Sequence, residues 1–314
     1  MGGRRPGGSS RAVIDRTRLE RLAEMPACLK ARIRGQDHVI DRLFPAIRRA
    51  ELGLTHPARP RGVFLFVGPT GVGKTELATV MAEFLFGADH LITFDMSEYQ
   101  GAKALERFIG AGPADAGLFG RAMAKRNMGI LLLDEIEKAH PEILDLLLQL
   151  TWNGRVTLAT GETIDVTPFY LILTSNIGGA ESMRMEHSNA AAVETAVLRQ
   201  VDQALRPELV GRFDERFVFR RLSFAVQQEI CAELVRIELA RLRTIGFDLE
   251  ISREALEFIT REGHHPTLGV RPMRRTVEHQ VQDAAARAIE ASHGMCGVLR
   301  CDSQAGRLFI AHPA

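Results

Sequence analysis

A glycine-rich octapeptide constrains the fold of this chain more than any other segment. The pattern G-x-x-x-x-G-K-[ST] is matched by Gly68, Pro69, Thr70, Gly71, Val72, Gly73, Lys74 and Thr75. Residues 63–67 before it are apolar throughout, which is typical of a strand covered on both faces in a parallel sheet. Residues 74–86 after it have the pattern of a helix. The glycines allow backbone N–H groups and the start of this helix to surround a phosphate, and we call residues 68–75 the phosphate loop.

The side chains at the end of the phosphate loop indicate a nucleoside triphosphate with a metal ion. Lys74 is placed to reach the β- and γ-phosphates, and the Thr75 hydroxyl is a ligand for Mg²⁺. The loop lies between a buried strand and a helix, which is the context that this pattern requires. An ordinary strand–helix turn is therefore disfavoured, and we expect ATP and Mg²⁺ to bind here.

A second polar pair follows another apolar run. Residues 130–133 end directly at Asp134 and Glu135. Such a strand end can place Asp134 near the Mg²⁺ and Glu135 near the γ-phosphate, where Glu135 can accept a proton from the attacking water. Taken alone, a solvated acid pair would explain these residues equally well. The phosphate loop upstream in the same predicted sheet favours catalysis.

The order of predicted elements indicates an α/β fold with a doubly wound, mostly parallel five-stranded sheet. Its strands are predicted at 63–67, 91–94, 130–133, 170–173 and 217–219. After residue 222 the pattern changes to helices at 224–245, 253–262 and 271–291 with short strands at 298–301 and 307–310. The first of these helices has Ile230, Leu234 and Ile237 on one apolar face. We predict a tail and lead-in helix at 1–30, with the helix ending near Pro26, a large domain at 31–222 and a small, mainly helical domain at 223–314.

Composition excludes several classes of protein. Hydrophobic residues make up 46% and charged residues 25%, as in globular proteins with a core, and the net charge of +1 offers no general attraction to nucleic acid. No apolar run approaches the ~20 residues that cross a bilayer, and residues 1–11 are expected to be a solvated tail rather than a secretory signal. The four cysteines are expected to be thiols in a reducing cytoplasm, and they are Cys28, Cys231, Cys296 and Cys301.

Six segments, taken in order, carry a resemblance to a known family. They are GPTGVGKTELA at 68–78, FDMSEY at 94–99, LLLDEIEKAHPEI at 131–143, TSNIG at 174–178, RPELVGRFDE at 206–215 and GVRPMRR at 269–275. With them the chain resembles the second ATPase module of the ClpA/ClpB class of AAA+ unfoldases, from about residue 34 to beyond residue 275. The resemblance implies a P-loop AAA+ fold, ATP hydrolysis, and a homo-oligomeric ring, a hexamer in this family, that acts on proteins.

The resemblance also implies roles for single residues. Asn176 corresponds to the polar sensor that orients the attacking water. Arg212 corresponds to an arginine finger that acts on a neighbouring subunit's nucleotide, with Arg206 as a fallback, and such a finger contributes about 10³–10⁵ in rate. Arg271 corresponds to a second sensor from the small domain. The segment expected to pack against the adenine contains Arg32, Ile33, Gly35 and Gln36.

Three features depart from the family's pattern. The region expected to grip substrate, residues 110–120, contains no tyrosine, and Leu118-Phe119 aligns better with the start of the following helix. We therefore expect the grip to be lost, which puts threading of polypeptide in doubt. Residues 245–247 have the composition of a protease-docking tripeptide, but they follow a predicted helix, so we predict no protease partner. The chain also lacks room for the family's first ATPase module and its N-terminal domain.

Three functions stay open on the sequence. The first is an ATP-driven ring that remodels proteins or assemblies. The second is a nucleic-acid motor, which the near-zero net charge and the lack of a recognisable DNA-binding module disfavour. The third is an ATP-gated assembly component of a larger machine, which the missing grip supports. Trp152 is expected to serve in packing, and His264 and His265 are expected to be exposed loop residues.

Overall fold

The computed structural model describes residues 16–185, 188–265, 268–291, 295–302 and 304–311. The predicted tail at 1–11 lies outside the described residues. The helices are α1 Arg16–Arg32, α2 Asp37–Glu51, α3 Lys74–Leu85, α4 Ala104–Ile109, α5 Gly117–Met123, α6 Pro141–Asn153, α7 Gly179–Arg184, α8 Ala190–Ala204, α9 Pro207–Val210, α10 Phe224–Arg243, α11 Arg253–Gly263 and α12 Met273–Glu290. The strands are β1 Gly62–Val67, β2 Leu91–Asp95, β3 Gly129–Asp134, β4 Arg155–Thr157, β5 Thr163–Asp165, β6 Phe169–Ser175, β7 Glu215–Val218, β8 Asp248–Ile251, β9 Cys296–Asp302 and β10 Arg307–Ala311.

The main sheet confirms the predicted parallel architecture. Within the described ranges it has five strands in the order β2-β3-β6-β1-β7, and every neighbouring pair is parallel. Every residue of β1 and β6 is buried, because helices cover both faces of the sheet. The carboxyl ends of β1, β3 and β6 therefore meet at one edge, where sheets of this kind bind ligands.

The alternation of side chains along β1 divides the core into two layers. Val63, Leu65 and Val67 pack on one face of the sheet with α6 and α8. Phe64 and Phe66 point to the other face, where α1, α2 and α3 pack. This period of two follows directly from strand geometry. Both faces of the strand that precedes the phosphate loop are thus fixed by apolar contacts.

A smaller unit follows β7 and has its own core. Helices α10, α11 and α12 pack on a sheet of order β10-β9-β8, in which β9 pairs antiparallel with β10 and parallel with β8. Ser252 caps α11, because its hydroxyl accepts a hydrogen bond from the N–H of Ala255 at 3.2 Å. The predicted second unit is present, and the boundary at 222/223 stays a prediction.

Several local predictions were wrong. Helix α1 continues through Pro26 to Arg32, although we expected it to end near the proline. The buried face of α10 contains Cys231, Val235 and Leu242, whereas Ile237, expected on that face, is 47% exposed. The hairpin of β4 and β5 and strand β8 were not predicted. These strands are three or four residues long, and such short runs carry little periodicity.

Candidate nucleotide site

The phosphate loop joins β1 to α3 in an unusual backbone conformation. Gly71 and Gly73 have φ angles of 74° and 102°, in the region that favours glycine. Within the described residues, the backbone N–H groups of 71–75 donate to no protein acceptor. They lie at the N-terminus of α3, where the helix dipole adds positive potential. The loop therefore offers a row of unused donors to an anion.

Lys74 lies beneath this loop and is only 7% exposed. Its ammonium donates to the carbonyl oxygens of Gly68 at 2.6 Å and Pro69 at 2.7 Å, and to Oδ1 of Asn176 at 2.9 Å. Burial lowers the pKa of Lys74 to about 8, although nearby carboxylates, led by that of Asp134, oppose the shift. An anion at the loop would stabilise the charged ammonium, so this side chain suits phosphate binding.

Asp134 and Thr75 meet across the gap between β3 and α3. The Thr75 hydroxyl lies 3.3 Å from Oδ2 of Asp134, and the buried Thr174 hydroxyl donates to the other carboxylate oxygen. Thr174 therefore holds the carboxylate from β6, a role that the sequence did not reveal. The hydroxyl and carboxylate oxygens are the hard ligands that Mg²⁺ prefers.

Glu135 has a strained backbone, because it is the only non-glycine residue with positive φ among the residues that the structure describes, at 58°. Such a conformation costs roughly 1–3 kcal/mol and is typical of functional sites. Its carboxylate accepts a hydrogen bond from Nδ2 of Asn176 at 2.8 Å and pairs with Lys138 at 2.5 Å. The structure thus brings together Lys74, Glu135 and Asn176.

Two further polar residues support this group and were not assigned to it from the sequence. Glu137 accepts a hydrogen bond from the backbone N–H of Asn176 at 3.0 Å, while its buried Oε2 has no partner within the described residues. Gln36 is fully buried, and its amide donates to the carbonyl oxygens of Val72 at 3.3 Å and Arg220 at 2.8 Å. Gln36 therefore ties the phosphate loop to the segment that leads into the second unit, rather than only packing beside a base.

The residues expected near the adenine divide between two places. Ile33 is buried beside the phosphate loop, because a Cβ added to Gly73 would lie 3.6 Å from its Cγ2. Arg32 instead pairs with Glu83 and Glu76 on the surface of α3. Ile33 thus stays a candidate for base contact, whereas Arg32 is engaged elsewhere.

The second unit contacts the phosphate loop directly through residues 268–271. A Cβ on Gly71 would lie 2.1 Å from the carbonyl oxygen of Leu268 and 3.3 Å from the backbone nitrogen of Arg271. A Cβ on Gly269 would likewise lie 2.9 Å from the carbonyl oxygen of Thr70. Arg271 is therefore next to the loop, and its side chain is exposed.

Arg212 lies near the amino-terminal end of β1, whereas the phosphate loop follows the carboxyl end of that strand. Arg212 precedes β7. The nearby Asp214 is held beside Val63, at the start of β1, because its backbone N–H donates to the carbonyl oxygen of Val63 at 2.8 Å. The strand takes five residue steps from Val63 to Gly68, the first residue of the loop, which corresponds to about 16 Å at the usual rise of a strand. Arg212 therefore lies near the end of β1 that is remote from the phosphate loop of its own chain.

Each of the two segments that depart from the family's pattern buries one aromatic side chain in the core, whereas Ile245 is 58% exposed. Leu118 and Phe119 lie in α5, and the Phe119 ring is fully buried against Phe108 with ring centroids 5.0 Å apart. Gly246 has a φ of 101° after α10, and Phe247 is 2% exposed. Phe119 and Phe247 therefore serve in local packing.

The remaining sequence candidates are less informative. His265 is exposed, but His264 is half-buried, so our expectation of exposure was wrong for His264. Burial lowers the pKa of His264.

Within the described ranges, no group of three His, Cys, Asp or Glu side chains is arranged to hold a metal ion. Among the described helices, none has the length and apolarity needed to cross a bilayer.

Comparisons with known proteins agree with this geometry. A family model described as "AAA domain (Cdc48 subfamily)" matches residues 59–216, and one described as "C-terminal, D2-small domain, of ClpB protein" matches residues 222–294. A ClpA homolog of Porphyra purpurea, named as an ATP-binding subunit of the ATP-dependent Clp protease, is 37% identical over 294 residues, 88% of this chain and 36% of that protein. The chaperone protein ClpB of Meiothermus ruber is 40% identical over 283 residues, 87% of this chain and 33% of that protein.

The chain spans about a third of the length of the curated relatives it matches. The first family model nevertheless covers half of the chain, including the phosphate loop, Asp134, Glu135 and Asn176. The second covers the unit whose residues 268–271 contact that loop. The chain therefore belongs to the AAA+ ATPase family, in the ClpA/ClpB class.

Proposed function

We propose that the chain binds and hydrolyses ATP as one subunit of an oligomeric ring that remodels proteins or protein assemblies. The observation that supports this most is the convergence of Lys74, Asp134, Glu135 and Asn176 at the carboxyl ends of three neighbouring strands. Each of these side chains is held by at least one partner from another strand or loop. Such a preorganised polar group suits hydrolysis better than nucleotide storage alone.

The chemistry follows from the positions of these side chains. The N–H groups of the phosphate loop and the Lys74 ammonium bind the β- and γ-phosphates of ATP. Thr75 and Asp134 would hold a Mg²⁺ ion, which would supply positive charge to stabilise the triphosphate. Glu135 accepts a proton from the attacking water, and Asn176 orients Glu135 through the 2.8 Å hydrogen bond between them.

The position of Arg212 supports the assembly of several subunits into a ring. Because Arg212 lies near the start of β1, and that strand runs about 16 Å from Val63 to its own phosphate loop, we infer that it acts on the nucleotide of a neighbouring subunit. We therefore expect a closed homo-oligomer, a hexamer by family likeness, in the cytoplasm. In the same likeness Arg271 and Ile33 contact the nucleotide from the second unit and from the end of α1.

A second function is an ATP-gated assembly component that does not thread polypeptide. The burial of Phe119 favours it, because the 110–120 region then presents no aromatic side chain to a substrate. The same observation supports our proposal that this chain docks on no protease ring, since a subunit that does not thread cannot feed one. A nucleic-acid motor stays the least favoured function, because the net charge of +1 offers no general attraction to nucleic acid.

The test is ATP turnover as a function of protein concentration, with particle size measured in parallel. We expect turnover per chain to rise with assembly, and Glu135→Gln and Arg212→Ala to abolish it while ATP still binds. A wild-type chain that assembles and binds ATP without hydrolysing it would refute the motor. The protein would then be the nucleotide-gated component described above.

A further inference from the structure

The tryptophan of this chain does not pack as we expected from the sequence. Trp152 lies in the last turn of α6 and is 44% exposed. The guanidinium carbon of Arg59 lies 3.8 Å from the centroid of its ring, and that of Arg212 lies 4.0 Å from it. Both distances are well within the ~6 Å at which a cation over an aromatic face is attracted. An exposed indole is thus stacked against two arginines, one of which is the proposed finger.

The guanidinium of Arg212 has no other fixed contact in the described part of the chain. Its Nε is buried and has no hydrogen-bond partner there, and its side chain forms no ion pair with a described residue. Arg61 and Arg206 differ in this respect, because they pair with Glu51 and Asp145. The stack on Trp152 is therefore what sets the orientation of the Arg212 guanidinium.

The backbone that carries Arg212 is already held in place. Its N–H donates to the carbonyl oxygen of Leu209 at 3.0 Å. Two residues later, Asp214 exchanges hydrogen bonds with Val63, from Val63 N–H to Oδ2 at 2.8 Å and from Asp214 N–H to the Val63 carbonyl at 2.8 Å. Only the side-chain torsions of Arg212 remain to be ordered, and the indole restricts them.

Stacking on an aromatic ring leaves the hydrogen bonds of a guanidinium available. The five N–H donors of arginine lie in the plane of the group, whereas the ring contacts its face. An arginine can therefore stay on Trp152 and still donate along its edge to phosphate oxygens. The adjoining cleft, of about 330 Å³, is also lined by Arg49, Arg59 and Arg61, which makes it attractive to an anion.

We propose that Trp152 is a positioning residue for Arg212, and that Arg59 clamps the other face of the indole. The indole holds the guanidinium of Arg212 so that the edge of the guanidinium meets the triphosphate of the neighbouring subunit. Fewer side-chain torsions of Arg212 then have to be ordered when the subunits associate. This proposal rests on the proposed trans-acting function. It adds a residue outside the phosphate site that sets the rate of hydrolysis.

The kinetic test compares Trp152→Ala with Trp152→Phe in assembled rings. We expect Trp152→Ala to lower kcat about tenfold with little change in KM for ATP, because one stacking contact is lost. Trp152→Phe keeps an aromatic face and should recover kcat to within about threefold of the wild type. Phe309→Ala, which removes another exposed aromatic side chain from β10, is the matched control and should leave kcat unchanged.

A spectroscopic test does not depend on turnover. Trp152 is the only tryptophan, so its fluorescence reports this stack alone. Removing Arg212 uncovers one face of the indole, and Arg212→Ala should therefore increase quenching by acrylamide in the free chain. If acrylamide quenches the wild type and Arg212→Ala equally, Arg212 does not cover the indole, and the proposed stacking is wrong.

The outcomes separate this proposal from the proposed function. If Arg212→Ala abolishes turnover and Trp152→Ala retains the wild-type kcat, Trp152 does not position Arg212, and the proposed ATPase with a finger from the neighbouring subunit is unaffected. If Trp152→Phe fails as completely as Trp152→Ala although both assemble, stacking is not the cause, and the proposal is overturned. If the assembled wild type hydrolyses no ATP, both proposals fail.

Discussion

The contact between the second unit and the phosphate loop leads to a prediction with a closely matched control. Gly269 has a φ of 58°, and a Cβ there would lie 2.9 Å from the carbonyl oxygen of Thr70 and 3.0 Å from that of Gly71. Gly306 has a φ of 61°, but a Cβ there would meet no described atom within 4 Å. Replacing each by alanine separates the cost of the backbone conformation from the cost of the contact.

Both substitutions place an alanine in the left-handed region, which costs about 1–2 kcal/mol in the free energy of unfolding. Gly269→Ala also forces two backbone carbonyls of the phosphate loop to move, and overpacking of this kind costs about 1–3 kcal/mol more. Because these carbonyls belong to the loop whose N–H groups bind phosphate, the same strain should weaken ATP binding. We expect a loss of about tenfold, or about 1.4 kcal/mol, in affinity.

The assays are urea unfolding and binding of a non-hydrolysable ATP analogue, measured on both variants. Gly306→Ala should lose a little stability and keep the affinity of the wild type. Gly269→Ala should lose more stability and bind the analogue more weakly. If the two variants match in stability and affinity, residues 268–271 do not constrain the loop, and this part of the account is wrong.

Three further predictions test other contacts. Asn176→Ala removes the hydrogen bonds to Lys74 and Glu135 and should lower turnover about 10²–10³-fold while ATP still binds, so unchanged turnover would contradict its role. Phe119→Ala should lower the free energy of unfolding by about 3–5 kcal/mol in a denaturant titration, whereas a change near zero would place the ring on the surface. Burial lowers the pKa of His38 below its usual 6.5, so the folded chain binds fewer protons there than the unfolded chain. Stability should therefore fall as pH drops below about 6.5, and His38→Gln should make that slope shallower, which unfolding curves between pH 5 and 8 would measure.

The elements of the large sheet could be predicted because their signals are local. Strands β1, β3 and β6 are continuous apolar runs, and each is followed by the polar residues that the site uses. The phosphate loop has a fixed spacing of glycines and a lysine. Such patterns need no knowledge of distant contacts.

The roles that were missed depend on distant contacts. Gln36 donates to the carbonyl of Arg220, 184 residues away, and Thr174 holds Asp134, 40 residues away. Glu137 follows Glu135 by two residues, which is the one local signal that could have identified it. Trp152 was expected to serve in packing, and its contacts with Arg59 and Arg212 depend on three separate segments.

The central claim is that each active site is completed by the neighbouring subunit, and a mixing experiment tests it most directly. Glu135→Gln keeps its finger but lacks the base, and Arg212→Ala keeps the base but lacks the finger. In a random equimolar ring about a quarter of the interfaces combine an intact base with an intact finger, so the account predicts about a quarter of wild-type turnover from two inactive proteins. Turnover that stays at zero in mixed rings of confirmed composition would contradict it.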